Sequence, residues 1–321
     1  MALVELFEKN HLKYVVSQNV DGLHRKSGIP AANLSELHGN TNLEICEECG
    51  REYMRDTRVR NAQKVKEHRT GRKCESTGCN GFLKDTIINF GEPLNSTFLN
   101  LGEHNCMTAD VCLSMGSSLR VSPANTFPEQ CALNGGQLVI CNLQTTPLDH
   151  LATLVIHAKC DDVMELLMKK LNYQIPAWQM KKRLEVSLVE DGARVSLRGV
   201  DDRNLPFHLF KQVKVTGTTR QETVANTKKV YPAENGPNAK QPYKFALPAA
   251  DARTQSFQVN LNFMGNYNEK SLNLKVSMDE LMQHQTIVYE MVMDAQSGSW
   301  EICVARNSDS EVLGVAEFTQ R

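Results

Sequence analysis

The sequence predicts a two-part α/β chain: a doubly wound parallel sheet over residues 1–180 that contains a small four-cysteine module at 43–84, then an antiparallel β domain over 181–321. Three observations lead there. Before residue 172, short apolar runs end in small or polar residues and alternate with helical periodicity. Two close cysteine pairs interrupt that pattern in a stretch with few apolar residues. After Pro176 the texture changes to short alternating runs separated by Asn, Gly, Pro and Asp.

In chain order, Leu3, Leu6, Phe7 and Leu12 form the apolar stripe of an opening helix that Asn10 and His11 stop. KYVVSQNVDG is a short β-branched strand that runs into the turn Asp21-Gly22. DTIINF (85–90) is expected to be a strand, TADVCLSMGSS (108–118) a buried strand, and GGQLVICNLQ (135–144) a third of the same kind. LATLVIHAKCDDVMELLMKKL (151–171) reads as a strand, a break and a helix whose apolar face holds Val163, Leu166, Leu167 and Leu171. The runs ARVSLRG, FKQVKVTG, PYKFALPA, FQVNLNF, LNLKVSM, TIVYEMVMD, WEICVAR and EVLGVAEF predict a sandwich, with Tyr289, Trp300 and Phe318 in its core and a long loop at 230–242.

Composition excludes several classes. The 321 residues carry 36 Lys+Arg against 37 Asp+Glu, and 41% are apolar. That is neither a coiled coil, nor collagen-like, nor a wholly disordered chain. No run of 18 apolar residues suggests a membrane span. The opening, with Glu5 and Glu8 and no small-residue cleavage site, does not read as a signal peptide.

Ten cysteines in such a chain read as a metal site plus reduced thiols. Cys46-x2-Cys49, 24 residues, then Cys74-x4-Cys79 gives two chelating pairs. Together they make an S4 set that suits one Zn²⁺ and leaves no open position, so the metal is expected to be structural. Residues 51–73 hold nine Lys/Arg and three acids, a net of +6. Such a block either meets nucleic acid or an acidic protein face, or is a solvated helix face.

The strand ends carry the remaining chemistry. SQNVDGLH (17–24) offers amide and carboxylate groups, and ELHGN (36–40) places His38 in a loop beside Gly39. Histidine titrates near neutral pH and is the usual general base. The turns GSS (116–118) and NLQ (142–144) suit ribose hydroxyls, and ligands of open α/β sheets bind at the carboxyl ends of strands. Neither GxGxxG nor a P-loop is present.

Taken in order, SQNVDGLH, ELHGN, CxxC…CxxxxC, FGE (90–92), GSS, NLQ and CDDV (160–163) resemble the sirtuins, the NAD-dependent protein deacylases. The basic insert, NFGEPLN and LMKKLNYQIPAW (167–178) look most like the class IV, sirtuin-7-like branch. The resemblance covers residues 1–180. It implies a Rossmann-like sheet, with His38 as the catalytic base. Gln18, Asn19 and Asp21 would line the nicotinamide and ribose pocket. Gly116 and Ser118 would hold the nucleotide, Asn142 and Gln144 the adenosine ribose region, and Cys160 the adenine through its backbone. Cys46, Cys49, Cys74 and Cys79 match the zinc ligands. Phe90, Gly91 and Glu92 match the segment that pairs with an acylated, histone-like substrate as an added strand. A base of this kind is worth roughly 10²–10⁴ in rate.

The family's strand and glycine-rich loop that precede this region have no counterpart here, so the resemblance implies an incomplete sheet, weak NAD binding and impaired deacylation by this chain. The same likeness, with the basic insert, implies a nuclear location, and the charge of 51–73 leads to the expectation of contact with nucleic acid or a nucleosome. The competing reading is a non-catalytic zinc-bearing chromatin or nucleic-acid module with a β interaction domain of unassigned role.

Overall fold

In a computed structural model, every residue is described except 63, 77, 190–193, 201–208, 220–227, 231–242, 247–253, 264–266 and 306–321. The chain opens with α1 (Ala2–Glu8), β1 (Val15–Ser17), α2 (Leu23–Ser27) and β2 (Leu34–Glu36). Four ribbon strands follow: β3 (Leu43–Cys46), β4 (Glu52–Met54), β5 (Arg69–Lys73) and β6 (Phe82–Asp85). Next come α3 (Ser96–Met107), β7 (Val111–Met115), α4 (Thr126–Leu133), β8 (Gln137–Cys141), β9 (Leu154–Ile156) and α5 (Cys160–Lys170). The remainder holds β10 (Gln179–Val189), β11 (Arg194–Val200), β12 (Phe210–Thr219), β13 (Lys228–Val230), β14 (Tyr243–Ala246), β15 (Thr254–Phe263), β16 (Leu272–Ser277), α6 (Met278–His284), β17 (Thr286–Asp294) and β18 (Trp300–Ala305).

Two compact units emerge. One comprises residues 1–43, 62–68 and 85–177; the other comprises 44–61, 69–84 and 178–321. The cysteine ribbon thus groups with the C-terminal strands, while residues 62–68 of its insert group with the N-terminal part. Among the described residues, no helix is long and apolar enough to cross a membrane.

In the first unit the parallel strands form two sheets, β1-β2 and β7-β8-β9. Helix α3 packs across β1 and α4: a Cβ on Gly102 would lie 3.2 Å from Phe127 and 3.4 Å from Val16. Three expectations need correction here. The strand at 85–90 ends at Asp85, because local bonds replace the ladder: Asp85 Oδ1 accepts Ile87 N–H at 3.0 Å, and Thr86 Oγ1 bonds both the amide and the carbonyl of Asn40. β7 is not buried; it is an edge strand with Val111 58% exposed. The buried face of α5 is Met164 and Met168, whereas Leu166 is 60% exposed. These flexible thioethers pack with Ala2 and Leu6 of α1, and that partner sets which face turns inward.

In the second unit, two antiparallel sheets, β14-β11-β10-β17-β18 and β13-β12-β15-β16, share one apolar core. Residues 272–276 alternate buried and exposed, as expected for one wet face. Trp300 and Tyr289 are buried; Trp300 stacks on Phe263 with ring centroids 4.4 Å apart and donates its indole N–H to the Lys270 carbonyl at 3.1 Å. Phe318, the run 311–318 and residues 231–242 of the expected loop lie outside the described residues.

Candidate functional site

β1 and β2 are parallel, with Val15 opposite Leu34 and Ser17 opposite Glu36, so both carboxyl ends lie at the same edge. Gln18 follows one end and His38 the other. The Ser17 carbonyl accepts Leu37 N–H at 3.0 Å, and the Val20 carbonyl accepts Thr41 N–H at 2.8 Å, which ties the two turns together.

This geometry assigns the tautomer of His38. Its Nδ1 lies 3.0 Å from the Gln18 carbonyl oxygen, which can only accept. Nδ1 therefore carries the proton, and Nε2 of the neutral ring presents a lone pair. The imidazole is half-buried and does not sink into the apolar interior.

The His38 loop is clamped from two sides. Its carbonyl accepts Ile88 N–H at 3.1 Å. Gly39 has φ +81°, and a Cβ there would stand 1.9 Å from the Thr86 carbonyl oxygen, so only glycine fits. On the other side, Asn40 is fully buried: its Nδ2 donates to Glu36 at 2.8 Å and its Oδ1 accepts Asn42 N–H at 2.9 Å. Ile88, Thr86, Glu36 and Asn40 carried no sequence signal of this role, because the contacts join segments 46 or more residues apart or lie inside the motif as polar packing.

The second cluster follows β7, β8 and β9, whose parallel register sets three turns at one edge. Gly116 N–H donates to the Cys141 carbonyl at 2.9 Å, and a Cβ on Gly116 would lie 3.6 Å from the Cys160 thiol. Asn142 Nδ2 donates to the Gln144 carbonyl at 2.8 Å. His157, which the sequence reading passed over, sets its Nδ1 3.0 Å from the Asn142 carbonyl. These turns offer the small residues, amides and hydroxyls that a nucleotide requires. Among the described residues, no hydrogen bond joins Gly116, Ser118, Asn142 or Gln144 to Gln18, Asn19, Asp21 or His38. Asp21 bonds its own turn, accepting Leu23 N–H at 3.0 Å.

In residues 86–92, Phe90 is 96% exposed and Gly91 has open space around it. The Glu92 carboxylate is bound on both oxygens. Oε2 accepts Asn89 N–H at 2.7 Å, and Oε1 accepts Lys66 N–H at 2.7 Å. The Asn89 amide, with further donors from Asn89, Lys66 and His68, holds this carboxyl at about 2, against burial that would raise it.

In the ribbon, one sulfur each from Cys46, Cys49, Cys74 and Cys79 lies within 4.8 Å of the others. Cys46 and Cys79, like Cys49 and Cys74, are 3.6 Å apart. A tetrahedral zinc with bonds of about 2.3 Å has sulfurs about 3.8 Å apart, so the set fits the ion. The proton chemistry fits too. Burial raises the Cys74 thiol, but Ser76 and the Tyr53 hydroxyl, 3.1 Å from its sulfur, bring it to about 6. The Gly81 amide lowers Cys79, but burial and the adjoining Cys46, Cys74 and Cys49 thiols push it up to about 12. Four thiolates cannot share that volume without a cation. Beside them Glu44, fully buried, takes Arg55 at 2.8 Å and Arg72 at 2.7 Å, and Arg55 also meets Glu75 at 2.7 Å. Arg69 pairs with Glu47 at 2.9 Å. Part of the basic insert is thus committed to ion pairs inside the ribbon.

The sequence profile described as "Sir2 family" matches residues 1–123. "NAD-dependent protein deacetylase SRT1" of Arabidopsis thaliana is 44% identical over 178 residues, 56% of this chain and 37% of that protein. "NAD-dependent protein deacetylase sirtuin-7" of Homo sapiens is 41% identical over 191 residues, covering 56% and 46%. A solved structure titled "Sir2 bound to acetylated peptide" is 30% identical, with 54% of this chain and 70% of that one covered and a TM-score of 0.42. The chain spans less than half the length of these two curated relatives. Profile, identity and the ordered motifs agree on one likeness: residues 1–123 match the Sir2 family, and the N-terminal part of the chain is similar to its deacetylases.

Proposed function

We propose that the chain acts as an NAD-dependent protein-lysine deacylase of the sirtuin-7-like branch, transferring the acyl group to ADP-ribose with release of nicotinamide. The observation that carries this is His38, held by the Gln18 carbonyl so that Nε2 is basic at the carboxyl edge of parallel strands. Bound NAD would supply an electrophilic ribose carbon and a neighbouring hydroxyl. His38 Nε2 accepts that hydroxyl's proton. Gln18, Asn19 and Asp21 line the nicotinamide end, and Gly116, Ser118, Asn142, Gln144 and Cys160 the nucleotide end. Phe90, Gly91 and Glu92, with the unladdered 86–89 before them, dock the acylated peptide as an added strand. The four cysteines hold one structural Zn²⁺.

The test is a single-turnover reaction of acetyl-lysine peptide with NAD, followed by mass spectrometry. Wild-type chain is expected to form acyl-ADP-ribose slowly, in keeping with the weak NAD binding expected above, and His38→Ala to slow it by a further factor of about 10²–10⁴. Equal rates in the two proteins would refute the reading.

Nuclear residence and a histone-like substrate belong to the same proposal. For contact with nucleic acid or a nucleosome, the exposed cations of the insert, Arg51, Arg58, Lys66 and Lys73, are the candidates, since Arg55 and Arg72 are bound inside the ribbon. Binding to duplex DNA should then weaken steeply with salt and weaken further when these four are neutralised. DNA binding indifferent to salt would remove this part of the reading.

A further inference from the structure

The function described above leaves one part of the insert unused. His68 touches both ends of the segment 85–92. Its carbonyl accepts Asp85 N–H at 2.7 Å. Its Nδ1 lies 3.2 Å from Asp85 Oδ1, and its Nε2 lies 3.2 Å from Glu92 Oε1. Both carboxylates are largely buried, with side chains 1% and 8% exposed, and the imidazole is 26% exposed. Two residues earlier, Lys66 adopts φ +70°, a conformation that costs a non-glycine residue about 1–2 kcal/mol. That turn delivers its N–H to the same Glu92 oxygen at 2.7 Å. A strained backbone and a bridging ring converge on one carboxylate, and neither contact serves the ribbon's own strands.

Between the two anchored ends, Thr86 to Asn89 run without a ladder partner among the described residues. Glu92 closes the turn onto Asn89, whose carbonyl takes Glu92 N–H at 3.0 Å. Ile88 from this segment bonds the His38 carbonyl at 3.1 Å. The ends of a short unladdered segment are thereby fixed, and Ile88 in its middle is held to the His38 carbonyl.

We propose that His68 is a positioning residue of the reaction: it staples Asp85 to Glu92 and so preorganises residues 86–92 for the incoming acyl-lysine peptide. The role rests on the reading of 86–92 as the peptide-docking segment. It gives the insert a function in substrate affinity that is separate from the zinc site. A freed segment would have to be ordered again by each peptide, and that cost falls on peptide affinity rather than on NAD.

The experiment uses the full chain loaded with zinc. KM for an acetyl-lysine peptide and KM for NAD are measured in wild type, His68→Ala and His68→Gln, and backbone hydrogen exchange is followed in the same proteins. His68→Ala is expected to raise the peptide KM about tenfold while the NAD KM stays within about twofold, since the ring's link between the two carboxylates is lost. His68→Gln, which keeps one donor nitrogen in place of two ring nitrogens, should fall between. Exchange at the Asn89 and Glu92 amides should quicken, while that at Leu37 and Thr41 stays slow. Unchanged exchange, or faster exchange with an unchanged peptide KM, overturns the positioning role alone. A wild type that neither binds nor turns over the peptide overturns the deacylase reading and this role with it. If His68→Ala loses protection throughout, His68→Gln decides by the same criteria.

Discussion

Gly39→Ala tests the clamp on the His38 loop. A methyl at position 39 meets the Thr86 carbonyl oxygen at 1.9 Å, its carbon at 2.4 Å and Ile87 N at 2.9 Å. All three are backbone atoms of a segment bonded to Asn40 and His38, so none moves cheaply. Two costs add: about 1–2 kcal/mol for a side chain at positive φ, and about 1–3 kcal/mol for the overlap. Gly135→Ala isolates the first, because Gly135 has φ +90° and nothing within 4 Å. At the His38 loop both costs act, about 2–5 kcal/mol together, or about 30- to 5,000-fold in a local opening equilibrium, whereas Gly135→Ala carries only the first and at another turn. Hydrogen exchange at Ile88, whose amide bonds the His38 carbonyl, reads that equilibrium. Gly39→Ala should expose Ile88 by that factor, and Gly135→Ala should leave it protected. Equal protection in the two variants would show that the Thr86 carbonyl yields, and the clamp argument would fail.

Three further outcomes follow from the same contacts. Chelating the metal should melt the ribbon but not the sandwich, since the ribbon core consists of Tyr53 and Leu83 besides its cysteines; four additional reactive thiols with Trp300 still buried is the expected signature. Glu44→Gln leaves Arg55 and Arg72 without their shared carboxylate, and a loss of about 3–5 kcal/mol should appear in urea denaturation of the zinc-loaded protein; a loss under about 1 kcal/mol would mean that the cluster relaxes into water. The Glu92 carboxyl is lowered from 4.5 to about 2, so its stabilisation of the 89–92 turn is fully present above 4.5 and is lost as pH falls from there towards 2; Asn89 protection that declines already near neutrality would contradict this.

Alternation was the most legible signal in the chain. LNLKVSM and TIVYEMVMD stand in the structure as they read, because a strand in a two-layer sandwich has one dry face and the period of two records it directly. β10 was passed over although Met180, Leu184 and Val186 alternate inward, because residues 181–185 carry four charges. Three of those charges, Lys181, Arg183 and Glu185, are the outer face, where Arg183 pairs with Glu290 at 2.8 Å and Glu185 with Arg198 at 2.7 Å; Lys182, on the register of Leu184, pairs with Asp56 at 3.0 Å. Helix α6 has seven residues, too few for a 3.6-residue period to show, yet Ser277 caps it by accepting Glu280 N–H. The face of α5 failed for another reason: five apolar residues are spread round the helix, and the choice of Met164 and Met168 is made by α1.

The candidate site divides along the same line. Motif residues that announce themselves by type, His38 and the four cysteines, are where chemistry restricts the choice to one or two amino acids. The residues that give them their states are ordinary: a carbonyl at Gln18, a threonine at 86, a histidine at 68 inside a run read only for its charge. Their roles depend on partners 17 to 46 positions away, and no local pattern encodes a partner at that range. The net charge of residues 51–73 shows the consequence. Summed along the sequence it suggests a surface for polyanions; placed in the structure, Arg55 and Arg72 neutralise a buried glutamate, and His68 faces two more carboxylates. What distinguishes a binding face from a structural charge cluster is the position of the acids that lie outside the run, and Glu44, Glu75, Asp85 and Glu92 all do.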